Sequence, residues 1–258
     1  MSAVFSNYAH YYDLLYQQKD YASEALFVSN LLRKVGSTAD SSGSMLELGC
    51  GTGRHAEHFA RMGYYVHGVD YSAEMVAIAQ QRVPQDMTGN LTFDEGDVRT
   101  FQVDRMFDTV ISLFHVVSYQ TENQDILAMF RTAARQLKRG GFFIFDCWYG
   151  PAVLTDRPTV RVKKIFDHQL NVLCISEPTM YQNENRVDVK YTIYATNKTE
   201  NEPIETFEEM HRMRYFFIPE LKMFLETVGF KIHDTTCMVS GGCLSTNTWF
   251  ATIVAVRI

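Results

Sequence analysis

Apolar and polar positions follow two different patterns along the chain. Between residues 45 and 147, short apolar runs alternate with segments in which apolar residues recur every three or four positions. The runs lie near 45–49, 64–69, 91–95, 107–113 and 141–147, and the helical segments lie near 53–62, 72–82 and 122–138. Such alternation is typical of β-α-β crossovers. We therefore predict an α/β fold with a mostly parallel sheet sandwiched by helices.

After residue 146 the pattern changes to a strict alternation of apolar and polar residues. The alternating runs lie near 160–165, 170–177 and 186–194, and turn-like segments separate them. Strict alternation predicts antiparallel strands with one solvated face. Because no helix is predicted between these runs, we interpret residues 151–215 as an antiparallel β insertion that caps the sheet and walls off a substrate pocket.

The N-terminal segment is rich in aromatic residues. Tyr8, Tyr12 and Tyr16 are spaced four residues apart, which predicts that they share one face of a helix. A second helix is predicted near 21–34. We expect residues 1–35 to form a helical segment that packs on the rest of the chain.

The C-terminal segment returns to the helix and strand pattern. A helix is predicted from Ile218, with Pro219 in its first turn, to Gly229. Apolar runs near 230–236 and 248–256 predict a terminal strand pair. The whole chain, 1–258, is therefore interpreted as a single domain.

Composition and charge narrow the function. A chain of 258 residues with a formal net charge of −6 has no stripe of Lys and Arg to neutralise phosphates, which argues against nucleic acid as a partner. The five scattered cysteines predict reduced thiols and no metal site. No long apolar segment or signal-peptide layout is present. We expect a cytoplasmic protein that has a small-molecule substrate and no membrane partner, and that is compatible with a homodimer.

A glycine loop joins the first apolar run of the sheet to its helix. Gly49, Gly51 and Gly53 occupy every second position, so a ligand can lie against bare backbone at a helix N-terminus. This spacing differs from those of the phosphate loop and the dinucleotide fingerprint. Asp70 ends the next apolar run, where a carboxylate can accept hydrogen bonds from ribose hydroxyls. Together the loop and the acid predict a nucleoside ligand.

Three motifs carry a family resemblance. Glu-Leu-Gly-Cys-Gly-Thr-Gly at 47–53, Val-Asp-Tyr-Ser-Ala-Glu-Met at 69–75 and Glu-Gly-Asp-Val at 95–98 resemble, in order and spacing, the cofactor motifs of class I S-adenosylmethionine-dependent methyltransferases. The resemblance implies a Rossmann-like, seven-stranded sheet whose last strand is antiparallel, and S-adenosyl-L-methionine as the cofactor.

The resemblance also implies which residues contact the cofactor. They are Tyr8, Tyr12, Tyr16, Glu47, Gly49, Cys50, Gly51, Gly53, Asp70, Tyr71, Met75, Asp97, Val98, Leu113 and Phe114. Within this set the tyrosines correspond to a lid, Asp70 to the ribose ligand and Asp97 to the ligand of the adenine amine. Alternative roles stay open, since Asp70 and Asp97 could cap turns and the tyrosines and Met75 could belong to the core.

Catalytic candidates come from the loops after the fourth and fifth predicted strands. These segments, 114–120 and 146–149, resemble those of nucleotide-sugar amine methyltransferases, which often have His at the position of Tyr119. We interpret Tyr119 as a substrate-orienting hydroxyl and His115 as a candidate base, with structural packing as the alternative for both. Trp148 and Tyr149 could stack on a sugar or surround a cationic nitrogen.

Two arginines are candidates for substrate binding. Arg212 and Arg214 share one face of a predicted strand by the two-residue period, which suits a phosphate or carboxylate clamp. The alternative is a solvated strand edge.

The sequence thus predicts a methyltransferase that transfers the methyl group of S-adenosylmethionine to an amine or hydroxyl of a polar, sugar-like small molecule. A nicotinamide (NAD-dependent) dehydrogenase is an alternative that the glycine spacing opposes. A non-catalytic regulatory module that binds the cofactor is a second alternative, and it predicts binding without turnover.

Overall fold

The computed structural model describes residues 8–36, 43–166, 170–197 and 203–258. The helices and strands, in chain order, are α1 Tyr8–Leu15, α2 Tyr21–Lys34, β1 Ser44–Leu48, α3 Arg54–Arg61, β2 Tyr65–Asp70, α4 Ala73–Arg82, β3 Leu91–Glu95, β4 Phe107–Ser112, α5 Asn123–Gln136, β5 Leu137–Tyr149, α6 Gly150–Thr155, β6 Arg161–Phe166, β7 Leu170–Tyr181, β8 Arg186–Asn197, β9 Pro203–Phe216, α7 Ile218–Thr227, β10 Phe230–Cys237 and β11 Phe250–Arg257. A short 3-10 turn, Val116–Tyr119, follows β4.

The core sheet has the predicted Rossmann-like arrangement. Five parallel strands lie in the order β3-β2-β1-β4-β5. Next to β5 lies the antiparallel β11, which pairs in turn with β10. The predicted α/β fold with a mostly parallel sheet and an antiparallel last strand is confirmed.

The start of β5 differs from the prediction. The strand begins at Leu137, four residues earlier than its apolar run, and the preceding helix ends at Gln136. The pairing with β4 jumps from Leu137 opposite Phe107 to Phe142 opposite Thr109, so the intervening residues bulge. Gly140, with a φ of 77°, adopts the left-handed conformation that this bulge contains.

The second half of the chain forms an antiparallel sheet of four strands, β6 to β9, which we call the cap sheet. It joins the core sheet where β9 pairs in parallel with the end of β5, Trp148 opposite Tyr215 and Tyr149 opposite Phe216. The described residues between these four strands contain no α-helix, but a short helix that the sequence pattern did not predict stands before them. The short α6 precedes the first cap strand, and Pro151 lies in its first turn, where a missing N–H costs nothing.

Two hydrophobic clusters cover the two faces of the core sheet. The side chains of β5 alternate between them: Phe143 and Phe145 pack with Phe130 of α5, and Phe142 and Ile144 pack on the opposite face with Phe59 of α3. This packing leaves the carboxyl ends of the parallel strands open toward the cap sheet. Among the described helices, none combines the length and the apolarity needed to cross a bilayer.

Candidate active site

A cavity of about 470 Å³ lies at the carboxyl ends of the parallel strands, between the core sheet and the cap sheet. Most of the predicted site residues line it: Tyr12, Tyr16, Gly49, Cys50, Gly51, Asp70, Tyr71, Met75, Asp97, Val98, Leu113, Phe114, His115, Tyr119 and Trp148. The glycine loop and the ends of β2 and β3 form what we call the cofactor half. Residues after β4 and β5 and on the cap strands form the acceptor half.

The glycine loop depends on left-handed backbone at each glycine. Gly49, Gly51 and Gly53 have φ angles of 79°, 54° and 78°. A Cβ at Gly49 would lie 2.5 Å from Val116 Cγ1, whereas a Cβ at Gly51 would meet no atom within 4 Å. The backbone at Gly51 therefore faces open space in the cavity. Gly53, which immediately precedes α3, lies outside the described lining of the cavity. It packs against the ring of Phe93 on β3.

Asp70 holds this loop to the end of β2. Its carboxylate accepts hydrogen bonds from the backbone N–H of Gly51 at 2.8 Å and of Ser72 at 3.0 Å. Burial raises the pKa of Asp70 above its ordinary value. A carboxylate has about four lone-pair positions, so it can anchor the loop and still accept a hydrogen bond from a ligand hydroxyl.

Replacement of Asp70 with Asn should weaken binding of S-adenosylmethionine by ~1–3 kcal/mol, because one charged acceptor becomes a neutral amide that also turns a donor toward backbone N–H groups. Isothermal titration calorimetry measures this difference. Glu95 has an exposed carboxyl on the neighbouring strand β3. The control variant Glu95→Gln should bind S-adenosylmethionine with the affinity of the wild type. Equal affinities of Asp70→Asn and wild type would remove Asp70 from the cofactor site.

Glu47 lies behind the loop and is only 1 % exposed. Burial, together with the nearby charge of Asp70, raises the pKa of Glu47 to about 8. The Nδ1 atom of His55 is 3.9 Å from one carboxyl oxygen. The other oxygen, Oε2, is buried and has no hydrogen-bond partner among the described residues. Glu47 lies outside the described lining of the cavity, so its predicted contact with the cofactor stays a prediction.

Asp97 is held in place by Arg99. The Arg99 Nη2 donates to Asp97 Oδ2 at 2.6 Å, and Nη1 donates to Asp125 at 3.1 Å. These hydrogen bonds hold the pKa of Asp97 below its ordinary value. Asp97 is therefore an ionised acceptor at the edge of the cavity, next to Val98, which is buried.

Helix α1 closes one side of the cavity. The ring of Tyr16 meets that of Phe114 edge-on with centroids 4.9 Å apart, and the Lys19 ammonium lies 4.2 Å from the Phe114 centroid. Asp13 of α1 contacts the glycine loop: Thr52 Oγ1 donates a hydrogen bond to its carboxylate at 2.8 Å. Arg82 pairs with the same carboxylate. The side chain of Tyr8 lies outside the described residues, and the lid role of these tyrosines stays a prediction.

His115 has a strained backbone and a fixed ring. Both Phe114 and His115 have positive φ angles, 63° and 66°, which non-glycine residues rarely adopt. The His115 N–H donates to Asp146 Oδ1 at 3.1 Å, and the imidazole Nδ1 contacts the same carboxylate. The ring also stacks on Phe250 with centroids 4.3 Å apart.

Tyr119 meets a partner that the sequence analysis did not select. Its hydroxyl lies 2.8 Å from Nδ1 of His211, and Nε2 of His211 lies 3.3 Å from Glu209 Oε2. His211 lines the acceptor half with Tyr191 of β8 and Met213. The two-residue period that groups Arg212 with Arg214 also groups Glu209, His211 and Met213, so the signal was present on the other face of the strand.

The structure does not bring Arg212 and Arg214 to the described lining of this cavity. Arg212 is largely exposed and lies 3.8 Å from Asp188. Arg214 is buried, and it donates to Asn123 Oδ1 at 2.7 Å and to Glu220 Oε2 at 3.0 Å. Tyr149 also lies outside this lining, where it packs against the core cluster.

The order of the parallel strands brings the left-handed glycine loop, Asp70 and Asp97 to one cavity, the arrangement that the sequence predicts for a nucleoside ligand. Residues 45–141 match a family model described as a methyltransferase domain. The predicted enzyme class, an S-adenosylmethionine-dependent methyltransferase, and the predicted cofactor are confirmed.

Two named relatives of the chain are methyltransferases. The chain is 28 % identical over 228 residues, 88 % of its length and 91 % of the relative's, to a dTDP-3-amino-3,4,6-trideoxy-alpha-D-glucopyranose N,N-dimethyltransferase of Streptomyces venezuelae. It is 28 % identical over 234 residues, 89 % of its length and 88 % of the relative's, to a dTDP-4-amino-2,3,4,6-tetradeoxy-D-glucose N,N-dimethyltransferase of Saccharopolyspora spinosa.

Solved structures share the fold. An S-adenosylmethionine-dependent methyltransferase of Clostridium acetobutylicum has a TM-score of 0.80 at 19 % identity, with 97 % of this chain and 98 % of that chain covered. An amino pentose methyltransferase of Micromonospora echinaspora, solved with bound S-adenosylmethionine, has a TM-score of 0.74 at 22 % identity, with 100 % and 99 % covered.

Proposed function

We propose that this enzyme methylates an amino group of a sugar-like small molecule, with a nucleotide-linked amino sugar as the preferred acceptor. The observation that carries the proposal is the aromatic wall of the acceptor half. Tyr119, Trp148 and Tyr191 line it, and Tyr12 of α1 and Tyr16, which follows that helix, extend it. Aromatic faces pack well on the apolar face of a sugar ring and stabilise a cationic nitrogen. The names of the two sugar N,N-dimethyltransferases support the same acceptor class.

The cofactor supplies a methyl group on a sulfonium, which leaves as a neutral thioether when the acceptor attacks. The protein must hold the cofactor, align the acceptor nitrogen and exclude water, and alignment alone can be worth ~7–11 kcal/mol in intramolecular reactions. The glycine loop, Asp70 and Asp97 would hold the nucleoside and amino-acid portions. Phe114, with Tyr12 and Tyr16 above it, would cover the reacting groups from water.

The proposal has a direct test. Purified enzyme is incubated with S-adenosylmethionine and a matched pair of nucleotide-linked sugars that differ only in an amino or a hydroxyl group. Mass spectrometry should find one or two added methyl groups on the amino sugar. Methylation of the hydroxy sugar alone would replace the amine by a hydroxyl acceptor, and binding of the cofactor without turnover on either sugar would favour a regulatory module.

The proposal also includes a small molecule, and not nucleic acid, as the binding partner and the cytoplasm as the location. A net charge of −6 supports a small-molecule acceptor over nucleic acid. All five cysteines lie in the described part of the chain as free thiols, which supports a cytoplasmic location.

A further inference from the structure

We propose that Tyr119, His211 and Glu209 form a proton relay that removes the proton of the acceptor amine. In this relay Tyr119 is the catalytic residue that touches the acceptor, and His211 and Glu209 are positioning residues that act through it. The inference rests on the proposed function, because it needs an acceptor nitrogen that loses a proton during methylation.

The relay joins the two halves of the fold. Tyr119 ends the 3-10 turn after β4 and belongs to the core, whereas Glu209 and His211 lie on β9 of the cap sheet. The hydroxyl of Tyr119 and Nδ1 of His211 are 2.8 Å apart, and Nε2 of His211 and Glu209 Oε2 are 3.3 Å apart. His211 is 3 % exposed, and the ring of Tyr191 packs edge-on against it with centroids 4.8 Å apart.

The partners decide the tautomer of His211. An ionised carboxylate only accepts hydrogen bonds, so the Nε2 that faces Glu209 carries the proton. The Nδ1 atom is then an acceptor, and the Tyr119 O–H donates to it. A phenol that donates in this way keeps lone pairs on its oxygen, and Tyr119 lines the acceptor half. Its oxygen can therefore accept a hydrogen bond from the N–H of an acceptor amine.

The proton transfer balances along this chain. When the amine nitrogen forms its bond to the methyl carbon, the carbon–sulfur bond breaks, its electron pair stays on sulfur, and the nitrogen becomes a cation. The nitrogen keeps the electron pair of one N–H bond, and the proton moves to the Tyr119 oxygen while the Tyr119 proton moves to Nδ1 of His211. The imidazolium that forms is paired with the Glu209 carboxylate and later releases its proton to water.

The surroundings of Tyr119 favour a relay over an ionised tyrosine. Burial raises the pKa of Tyr119 well above its ordinary value, so a free phenolate is disfavoured. A proton can reach its oxygen only as its own proton leaves for His211. The titratable groups that face the relay are Tyr191 from β8, Tyr12 from α1, Tyr16 just after α1 and, across the cavity, Asp70 from β2.

His115 is the competing candidate for the base. Its Nδ1 already contacts the Asp146 carboxylate, and its ring is stacked on Phe250. Its N–H anchors the same carboxylate. His115 also lines the cavity, so the variants of the relay separate the two candidates: a loss of kcat in both Tyr119→Phe and His211→Asn assigns the proton transfer to the relay.

Three conservative variants test the relay. Asn places an amide oxygen near the position of Nδ1, so His211→Asn can still orient Tyr119 but cannot take its proton. Tyr119→Phe removes the hydroxyl, and Glu209→Gln removes the charge that stabilises the imidazolium. Each should lower kcat for the amino sugar by about 100- to 10,000-fold and alter the rise of kcat with pH, while the affinity for S-adenosylmethionine stays within twofold. Met210→Ala, an exposed position between the two relay residues on β9, should keep the wild-type kcat.

A second readout does not depend on turnover. In protein labelled with ¹⁵N-histidine, NMR should show His211 as the tautomer protonated at Nε2, and Tyr119→Phe should change the chemical shift of the His211 Nδ1 atom, which loses its hydrogen-bond donor. If the wild type has this tautomer but does not methylate amines, the proposed acceptor is wrong. The hydrogen bonds from Tyr119 through His211 to Glu209 are then confirmed without their role in amine methylation. A wild-type kcat and pH profile in His211→Asn, or an Nδ1-protonated His211, would overturn the relay.

Discussion

Replacement of Glu47 with Gln should stabilise the folded protein increasingly as the pH rises above 5. Glu47 is 1 % exposed, and burial raises its pKa from the ordinary value of 4.5 to about 8. Above pH 4.5 the unfolded chain releases this proton whereas the folded protein retains it, so stability is present below that pH and is lost as the pH rises to about 8. By linkage the loss is ~3 kcal/mol at pH 7 and ~5 kcal/mol at pH 9.

Urea unfolding at pH 5 and pH 9 measures this effect. Glu47→Gln and the wild type should have similar free energies of unfolding at pH 5, and the variant should be several kcal/mol more stable at pH 9. Glu95→Gln, at an exposed position on β3, should leave the difference between the two pH values unchanged. If Glu47→Gln and wild type lose stability in parallel, the carboxyl is not held protonated by its burial.

Replacement of Gly49 with Ala should both destabilise the fold and abolish cofactor binding. Gly49 has a φ of 79°, which costs an L-residue ~1–2 kcal/mol. The new Cβ would lie 2.5 Å from Val116 Cγ1, and such overpacking costs a further ~1–3 kcal/mol. Because Cys50 and Gly51 follow in the same loop, a shift at Gly49 displaces the backbone that lines the cofactor half.

Gly140 offers a matched control. It has a φ of 77°, and a Cβ there would meet no atom within 4 Å. Gly140→Ala should therefore lose only the conformational part of the stability and keep its affinity for S-adenosylmethionine, as measured by thermal unfolding and calorimetry. The double variant Gly49→Ala, Val116→Ala should recover part of the lost stability because it removes the clash. No recovery would mean that the clash contributes little.

The elements of the core sheet were predictable because their signals are local. The glycine spacing, the apolar runs of β1 and β2 and the acid at Asp70 are each visible within a few residues, and parallel topology brings their ends to one edge. The bulge at the start of β5 was not predictable from its apolar run, because Leu137 is separated from that run by two basic residues and Gly140.

The acceptor half was harder to predict because strand periodicity groups residues without saying which group faces inward. On β9 the same period joins Arg212 to Arg214 and Glu209 to His211, and only tertiary contacts decide between the faces. The contact of His211 with Tyr119 spans 92 positions in the sequence, and a single sequence carries no signal for such a pair. The same applies to Arg214, whose partners lie on α5 and α7.

The continuity of β5 has a consequence for how molecules reach the cavity. The strand pairs with β4 and β11 in the core and, at Trp148 and Tyr149, with β9 of the cap sheet, so the cap is tied to the core through backbone hydrogen bonds. Helix α1 is tied to the glycine loop through the Asp13 side chain. We therefore expect the two sheets to move as one rigid body, so that reactant and product exchange through the rim of the cavity and not by separation of the sheets.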